Sequence, residues 1–175
     1  MAGDFDIYAL TGAEAHEHCG ALAEVLIACV HSGASVSFMA PLAREKAESF
    51  WNGVADSVAR RERILVVAKE PDGRIVGTAQ VVLNVPENQP HRGDVAKMLV
   101  HPEARRRGIA ARMLKFAERE ARAAGKTLLV LDTVTGGDAE RLYEREGWVR
   151  VGVIPDYALF PDGRFCDTTL FYKRL

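Results

Sequence analysis

Met98-Leu99-Val100-His101-Pro102-Glu103-Ala104-Arg105-Arg106-Arg107-Gly108-Ile109-Ala110 runs an apolar strand end through a proline turn into three arginines and a glycine that opens a helix. A helix start leaves several backbone N–H groups without partners, and the aligned peptide dipoles add about half a positive charge there. Gly108 and Ala110 are small, so an anion can approach the backbone. Cations at this end oppose the dipole by a few tenths to about 1 kcal/mol, so three arginines there make more sense with an anion between them. Eight basic residues (Arg105, Arg106, Arg107, Arg112, Lys115, Arg119, Arg122, Lys126) stand against only Glu118 and Glu120 over 105–126. The bland alternative is a solvated basic helix face. The stretch is neither a G-x-x-x-x-G-K-[ST] loop nor a G-x-G-x-x-G turn, so a P-loop and a dinucleotide fingerprint are both set aside.

Downstream, Ile109, Met113, Leu114, Ala117, Ala121 and Ala124 share one face of a long helix that Gly125 should stop. The apolar run 127–131 then predicts a central strand covered on both faces. A short helix over 138–146 precedes strands at 148–154 and 168–172. Upstream, 64–69 and 75–85 predict a hairpin around Pro71-Asp72-Gly73-Arg74, and 94–100 a further strand. A strand at 5–10 leads into Thr11-Gly12-Ala13-Glu14, a capping box that predicts one helix carrying Leu22, Val25, Leu26 and Cys29 inward. Another helix follows Pro41, with Leu42, Ala47, Phe50, Trp51 and Val54 as its stripe. The order β-α-α-β-β-β-α-β-α-β-β predicts a layered α/β fold.

The 175 residues read as a single domain over 1–175, able to bury roughly 70% of the unfolded surface without staples. Hydrophobic residues at 48% and charged residues at 27% exclude a disordered or fibrous chain. A net charge of −1 argues against nucleic acid as partner, and no aromatics interleave the arginines. Cys19, Cys29 and Cys166, odd in number and scattered, predict reduced thiols in a cytoplasmic protein rather than disulfides or a zinc ribbon. Met1 to Asp6 lacks the basic start and apolar run of a secretory leader, and no membrane span is expected. His16 and His18, two apart on a helix, cannot share a metal, so no metal site is expected.

Arg105-x-x-Gly108-x-Ala110 resembles the [QR]-x-x-G-x-[GA] pyrophosphate loop of the GNAT acetyltransferase superfamily, and it lies between a strand and a long helix as in that family. Ala139-Glu140-Arg141-Leu142-Tyr143-Glu144-Arg145-Glu146-Gly147-Trp148 is similar to the family's second signature, A-x-x-L-Y-x-x-x-G-[FW]. One departure is Gly136, where many members carry an Asn that contacts the cofactor. A narrower resemblance, to the tabtoxin-resistance members, rests on residues 30–39, Leu131-Asp132-Thr133, Ile154-Pro155-Asp156-Tyr157 and Pro161-Asp162-Gly163-Arg164. The resemblance implies a mixed, mostly antiparallel sheet of six to seven strands flanked by about four helices, with two central parallel strands splayed apart.

It also implies acetyl-CoA as acyl donor. Its pantetheine arm would pair with Met98, Leu99 and Val100 like an added strand. Its pyrophosphate would meet Arg105, Arg106, Arg107, Gly108, Ile109, Ala110 and Ala111. Tyr143 would reprotonate the leaving thiolate, unless it is simply a half-buried helix tyrosine. Asp132 and Asp94 would serve as base or hold a cationic amine, although Asp94 could equally be a strand-start residue facing water. Ser35, Phe38 and Tyr157 would wall the acceptor, or merely pack their loops. Neither Lys97 nor the cysteines have a companion suggesting an acetyl-enzyme, so direct transfer in a ternary complex is expected. The expected partner is a small molecule accepting acetyl on its amine or hydroxyl, and the protein is a monomer or homodimer. A protein or peptide amino-group acetyltransferase and a non-catalytic CoA-binding module remain the alternatives.

Overall fold

The computed structural model describes residues 5–175; residues 1–4, on which the leader expectation partly rests, lie outside the described residues. The chain runs β1 (Asp6–Ala9), α1 (Gly12–Glu17), α2 (Cys19–His31), α3 (Arg44–Ala59), β2 (Arg63–Lys69), β3 (Ile75–Val82) and β4 (Arg92–Val100). A single 3-10 turn (Pro102–Ala104) follows, then α4 (Ile109–Ala123), β5 (Leu128–Val134), α5 (Asp138–Arg145), β6 (Val149–Leu159) and β7 (Phe165–Arg174). All seven strands form one sheet in the order β1-β2-β3-β4-β5-β7-β6. Every neighbouring pair is antiparallel except β4 and β5, which α4 joins as a parallel crossover.

The sheet is covered on both faces at its centre. Leu65 and Val67 of β2 pack beneath α2 and α3, among Leu22, Leu26, Cys29 and Trp51. Val66 and Ala68, one step out of phase, face Met113, Leu114 and Ala117 of α4. Alternation along one strand thus feeds two cores.

The single helix expected over 11–29 is two. Thr11 and Glu14 do form the capping box. The chain then bends at His18, because His16 ties α1 sideways to α3 through Asn52 (3.0 Å) and Asp56 (3.0 Å), while α2 lays its stripe on the sheet. The strand expected to be covered on both faces also differs. In β5 only Leu129 and Leu131 are buried, whereas Leu128 and Val130 are half-buried. The core under α2 and α3 takes side chains from β2, β3 and β4 but none from β5. One face of β5 is therefore left for a cleft.

β6 extends past the expected 148–154 as far as Leu159. Its register against β7 jumps between Ile154↔Thr168 and Ala158↔Cys166, so residues 155–157 bulge out. Asp156 sits there at φ +51, its N–H donating to Asp167 Oδ1 (2.9 Å).

Candidate active site

β4 and β5 pair at only three positions, Arg92↔Leu128, Gly93↔Leu129 and Asp94↔Val130. Beyond these each strand keeps only its outer neighbour. A bulge lies on the far side of β4: two steps on β3, from Thr78 to Gln80, are matched by three on β4, from Leu99 to Ala96. Lys97 sits in this bulge at φ +49, and Thr78 Oγ1 donates to its carbonyl (2.9 Å). Such a bulge bends the strand and re-aims its side chains. The parted strands form the walls of a cavity of about 1140 Å³, with residues 95–100 on one side and 132–134 on the other.

At one end the cavity meets the start of α4. Gly108 holds φ +78, in the left-handed region, where a side chain would be strained although no atom crowds the position. No side chain caps this helix and its first turn holds no acid, so the N–H groups of Ile109, Ala110 and Ala111, residues that line the cavity, have no side-chain acceptor. The three arginines part company. Arg105 turns inward, its Nε donating to Val100 O (3.1 Å) and its Nη2 to Ser32 Oγ (2.9 Å). Arg107 turns away from the cavity, pairing with Glu70 (2.6 Å) and lying 4.4 Å over the Phe5 ring. Arg106 alone of the three lines the cavity without a hydrogen bond or ion pair among the described residues.

The expected basic cluster dissolves further along α4. Lys115 pairs with Glu146 (3.2 Å), Arg119 with Glu120 (3.3 Å), Arg112 donates to Phe5 O (3.0 Å), and Lys126 to Leu83 O (3.2 Å) and Pro90 O (2.9 Å). Besides Arg106, positive charge at the cavity comes from a source not anticipated: Arg141 and Arg145 of α5, four residues apart and both in the wall, Arg141 also pairing with Asp138 and donating to Gly136 O (3.2 Å). Their i,i+4 spacing was the available signal. Gly136 is required by its turn at φ +79, and its N–H donates to Glu140 Oε2. This bond, Thr169 Oγ1 (2.9 Å) and Arg150 (3.6 Å) hold the Glu140 carboxyl below the usual carboxylate range.

At mid-cavity stand Tyr143 and Asp132. Tyr143 is 4% exposed, its ring held between Trp148 and Phe171 with centroids 5.8 and 5.9 Å away. Burial, and then the Asp132 charge, push its phenol up, so it stays protonated throughout the neutral range. Trp148 is fixed in turn by its Nε1 donating to buried Glu118 (2.9 Å), which Lys173 also clamps (2.8 Å). Asp132 follows buried Leu131 into the cavity wall, and its Oδ2 accepts from Thr168 Oγ1 (2.8 Å).

Asp94 is elsewhere. It lies on the last rung where β4 and β5 still pair, outside the cavity wall, and its carboxylate is engaged by Arg92. The expectation that both aspartates share the cleft is corrected: the pairing that holds the strands together at Asp94 closes the gap there.

Of the residues expected along the donor's path, Met98, Leu99 and Val100 all line the cavity, but Val100 O already accepts from Arg105 and from Cys29 Sγ (3.4 Å). At the opposite end Ser35 lines the wall and donates to Leu159 O (2.7 Å), while the bulge at 155–157 carries half-exposed Tyr157 in. Phe38 is not in the wall; its ring packs edge-on against Phe50 (5.3 Å). Cys29 and Cys166 reach the cavity too, and burial pushes the Cys29 thiol up despite Arg105 nearby, which keeps it a poor nucleophile. Among the described residues no group of His, Cys, Asp and Glu is placed to hold a metal ion.

This geometry has counterparts. Over 119 residues the chain is 38% identical to an uncharacterized N-acetyltransferase of Azospirillum brasilense, covering 67% of this chain and 66% of that one. An IAA acetyltransferase of the same organism is 32% identical over 109 residues, covering 62% of this chain and 68% of that one. The chain thus spans about two thirds of the length of these curated relatives. A putative acetyltransferase from Salmonella typhimurium, solved with its cofactor acetyl-CoA, superposes with a TM-score of 0.80 at 19% identity, covering 99% of this chain and 95% of that one. It shares the fold. The sequence pattern of the acetyltransferase (GNAT) family matches residues 31–148, which takes in the helix-opening turn, the parted strands and the Tyr143 helix. The chain belongs to the GNAT family of acetyltransferases.

Proposed function

We propose that the protein transfers an acetyl group from acetyl-CoA directly to the amine of a small molecule bound in the same cavity. The observation that carries this reading is the parting of β4 and β5 after three paired rungs, with an uncapped helix start at one end of the gap and Tyr143 and Asp132 at its middle. Acetyl-CoA fits the residues present. The β4 edge facing β5 over 95–99 has lost its strand partner, and the first-turn N–H groups of α4 have no side-chain acceptor. Arg106, Arg141 and Arg145 would meet its phosphates.

When bound, acetyl-CoA supplies an activated thioester carbonyl. Tyr143 would keep its proton on Oη at neutral pH, where its raised pKa holds it, and hydrogen-bond or donate it to the leaving sulfur as negative charge develops there. Asp132 would draw the acceptor's ammonium into the cavity and take its proton, directly or through a water, as the freed amine attacks the thioester carbonyl. Thr168 fixes one Asp132 oxygen and leaves the other for the acceptor. Arg105 would hold the α2–α3 loop to the end of β4 rather than touch phosphate. The raised thiol of Cys29 supports direct transfer over an acetyl-enzyme.

The likeness of residues 30–39 and 154–164 to the tabtoxin-resistance members supports an amino-acid-like toxin or antibiotic as the narrower acceptor. No helix among the described residues is long and apolar enough to cross a membrane, and the three cysteines are free, which fits action in the cytoplasm. The test is release of free thiol from acetyl-CoA across a panel of small amines and dipeptides. Amine-dependent release supports the reading. Acetyl-CoA binding without transfer to any of them, alongside acetylation of protein N-termini, overturns it in favour of a protein substrate.

A further inference from the structure

Among the described residues, Lys97 is a cation in the cavity wall with no carboxylate in ion-pair contact. Lys173 is saturated by both oxygens of Glu118 (2.9 and 2.8 Å) and Glu146 O (2.9 Å), and Lys126 by two carbonyls, while half-buried Lys69 of β2 lies outside the cavity wall with the Tyr8 ring face at 5.5 Å. Lys97 Nζ instead has one hydroxyl, Ser37 Oγ at 3.1 Å, and the Phe50 ring face at 5.7 Å. It makes no ion pair with any carboxylate among the described residues. Withdrawing an ammonium from water without an anion beside it is costly, and the cost shows: burial, then the Arg63 charge, push the Lys97 pKa down, with only Asp132 opposing.

The backbone is arranged around this contact on both sides. Lys97 occupies the β4 bulge at φ +49, its carbonyl pinned by Thr78, and Ser37 in the α2–α3 loop stands at φ +77. Both are non-glycine residues in the left-handed region, and such strained backbone gathers at ligand sites. The Lys97 and Ser37 side chains therefore meet at the cavity through two strained backbones. Across the gap, Asp132 lines the same cavity from β5. One wall thus presents a cation with open donor positions and the other a carboxylate with an open acceptor oxygen.

We propose that Lys97 Nζ and Ser37 Oγ form a subsite for a carboxylate of the acceptor, opposite the Asp132 position that takes its amine, so that the acceptor is a zwitterion of the amino-acid type. The proposal rests on the small-amine reading and adds the group that selects among amines. The ammonium and the hydroxyl both donate to the carboxylate oxygens, and the bound carboxylate supplies the counter-ion that Lys97 lacks. Lys97 selects the acceptor and takes no part in moving the acetyl group.

The experiment compares L-α-amino acids with the matching carboxamides, reading kcat/KM by thiol release for the wild type, Lys97→Met and Lys97→Arg. The amine of a carboxamide loses its proton more readily, so intrinsic reactivity favours the amide, and a preference for the acid has to come from the site. The wild type is expected to favour the acid by roughly tenfold or more, carried in KM. Lys97→Met should bring the acid-to-amide ratio down to about that of free reactivity, and Lys97→Arg should restore part of it. Acetyl-CoA affinity, measured by calorimetry, reports that each variant is folded. Equal use of acid and amide by the wild type overturns the subsite while leaving the small-amine reading standing. So does an equal loss on both in Lys97→Met, the result expected of a base or a purely structural lysine. Acetylation of neither class, with acetyl-CoA still bound, overturns the subsite; the small-amine reading falls with it only if the wider panel of small amines and dipeptides also accepts no acetyl.

Discussion

Asp94 and Asp132 lie on the same pair of parallel strands, yet the structure gives them opposite surroundings. At the closed end β4 and β5 are still hydrogen-bonded, and Asp94, level with Val130, is neutralised by its neighbour Arg92. Two residues past that rung on β5 the strands have parted, and Asp132 stands in the cavity wall with one oxygen held by Thr168. The difference is a matter of three backbone rungs. Where the ladder is intact, it fills the space a substrate would need; where the β4 bulge turns that strand aside, the same kind of side chain faces an opening.

The contrast can be broken by exchanging the charge at each end. Asp132→Asn is expected to lower kcat by roughly 10²–10³-fold in the thiol-release assay, the range of a positioned acid–base group. A change of less than threefold would remove Asp132 from the chemistry. The helix-opening end comes next. Gly108→Asp places an anion and a strained left-handed backbone beside the proposed phosphate site, and the Kd for acetyl-CoA should rise about a hundredfold by calorimetry. Tyr143→Phe should lower kcat by roughly tenfold or more while leaving acetyl-CoA affinity within about twofold, because the ring and its contacts with Trp148 and Phe171 remain.

A smaller effect sharpens the role of the α5 turn. Glu140→Gln replaces a carboxylate that three donors stabilise, and should cost about 1–2 kcal/mol in denaturant unfolding at neutral pH. Because the folded state holds this carboxyl below its ordinary value, the stability it contributes is present above the ordinary glutamate range and fades as the pH falls through the folded value. The gap between wild type and variant should therefore narrow in acid. A gap that widens there would contradict the assignment. Last, Asp94→Asn should change kcat by less than twofold, its carboxylate being outside the cavity.

What sequence could and could not show follows the same division. The hairpin at 64–82, the long helix from Ile109 and the Tyr143 helix were legible because their periodicity and turn residues are local. The glycine-opened helix start was legible for the same reason. The fates of the long cations were not. Arg105 and Arg107 sit two apart, yet one reaches back to Ser32 and the other to Glu70, partners chosen by the tertiary fold. Lys97 looked unremarkable because a bulge shifts the alternation from which its direction would be read, and Asp94 because only the register of β4 on β5 decides where the gap begins. Phe38 fell on the correct loop but turned to Phe50 instead of the cavity, a choice between two apolar surroundings that spacing does not resolve.

The most direct test of the account is a crystal structure of the protein with acetyl-CoA. The account predicts the pyrophosphate within hydrogen-bond distance of the Ile109, Ala110 and Ala111 N–H groups, the pantetheine along residues 95–99 of β4, and the thioester sulfur beside Tyr143 Oη. A nucleotide seated anywhere else, or parted strands closed over by their own side chains with the ligand outside, would contradict it.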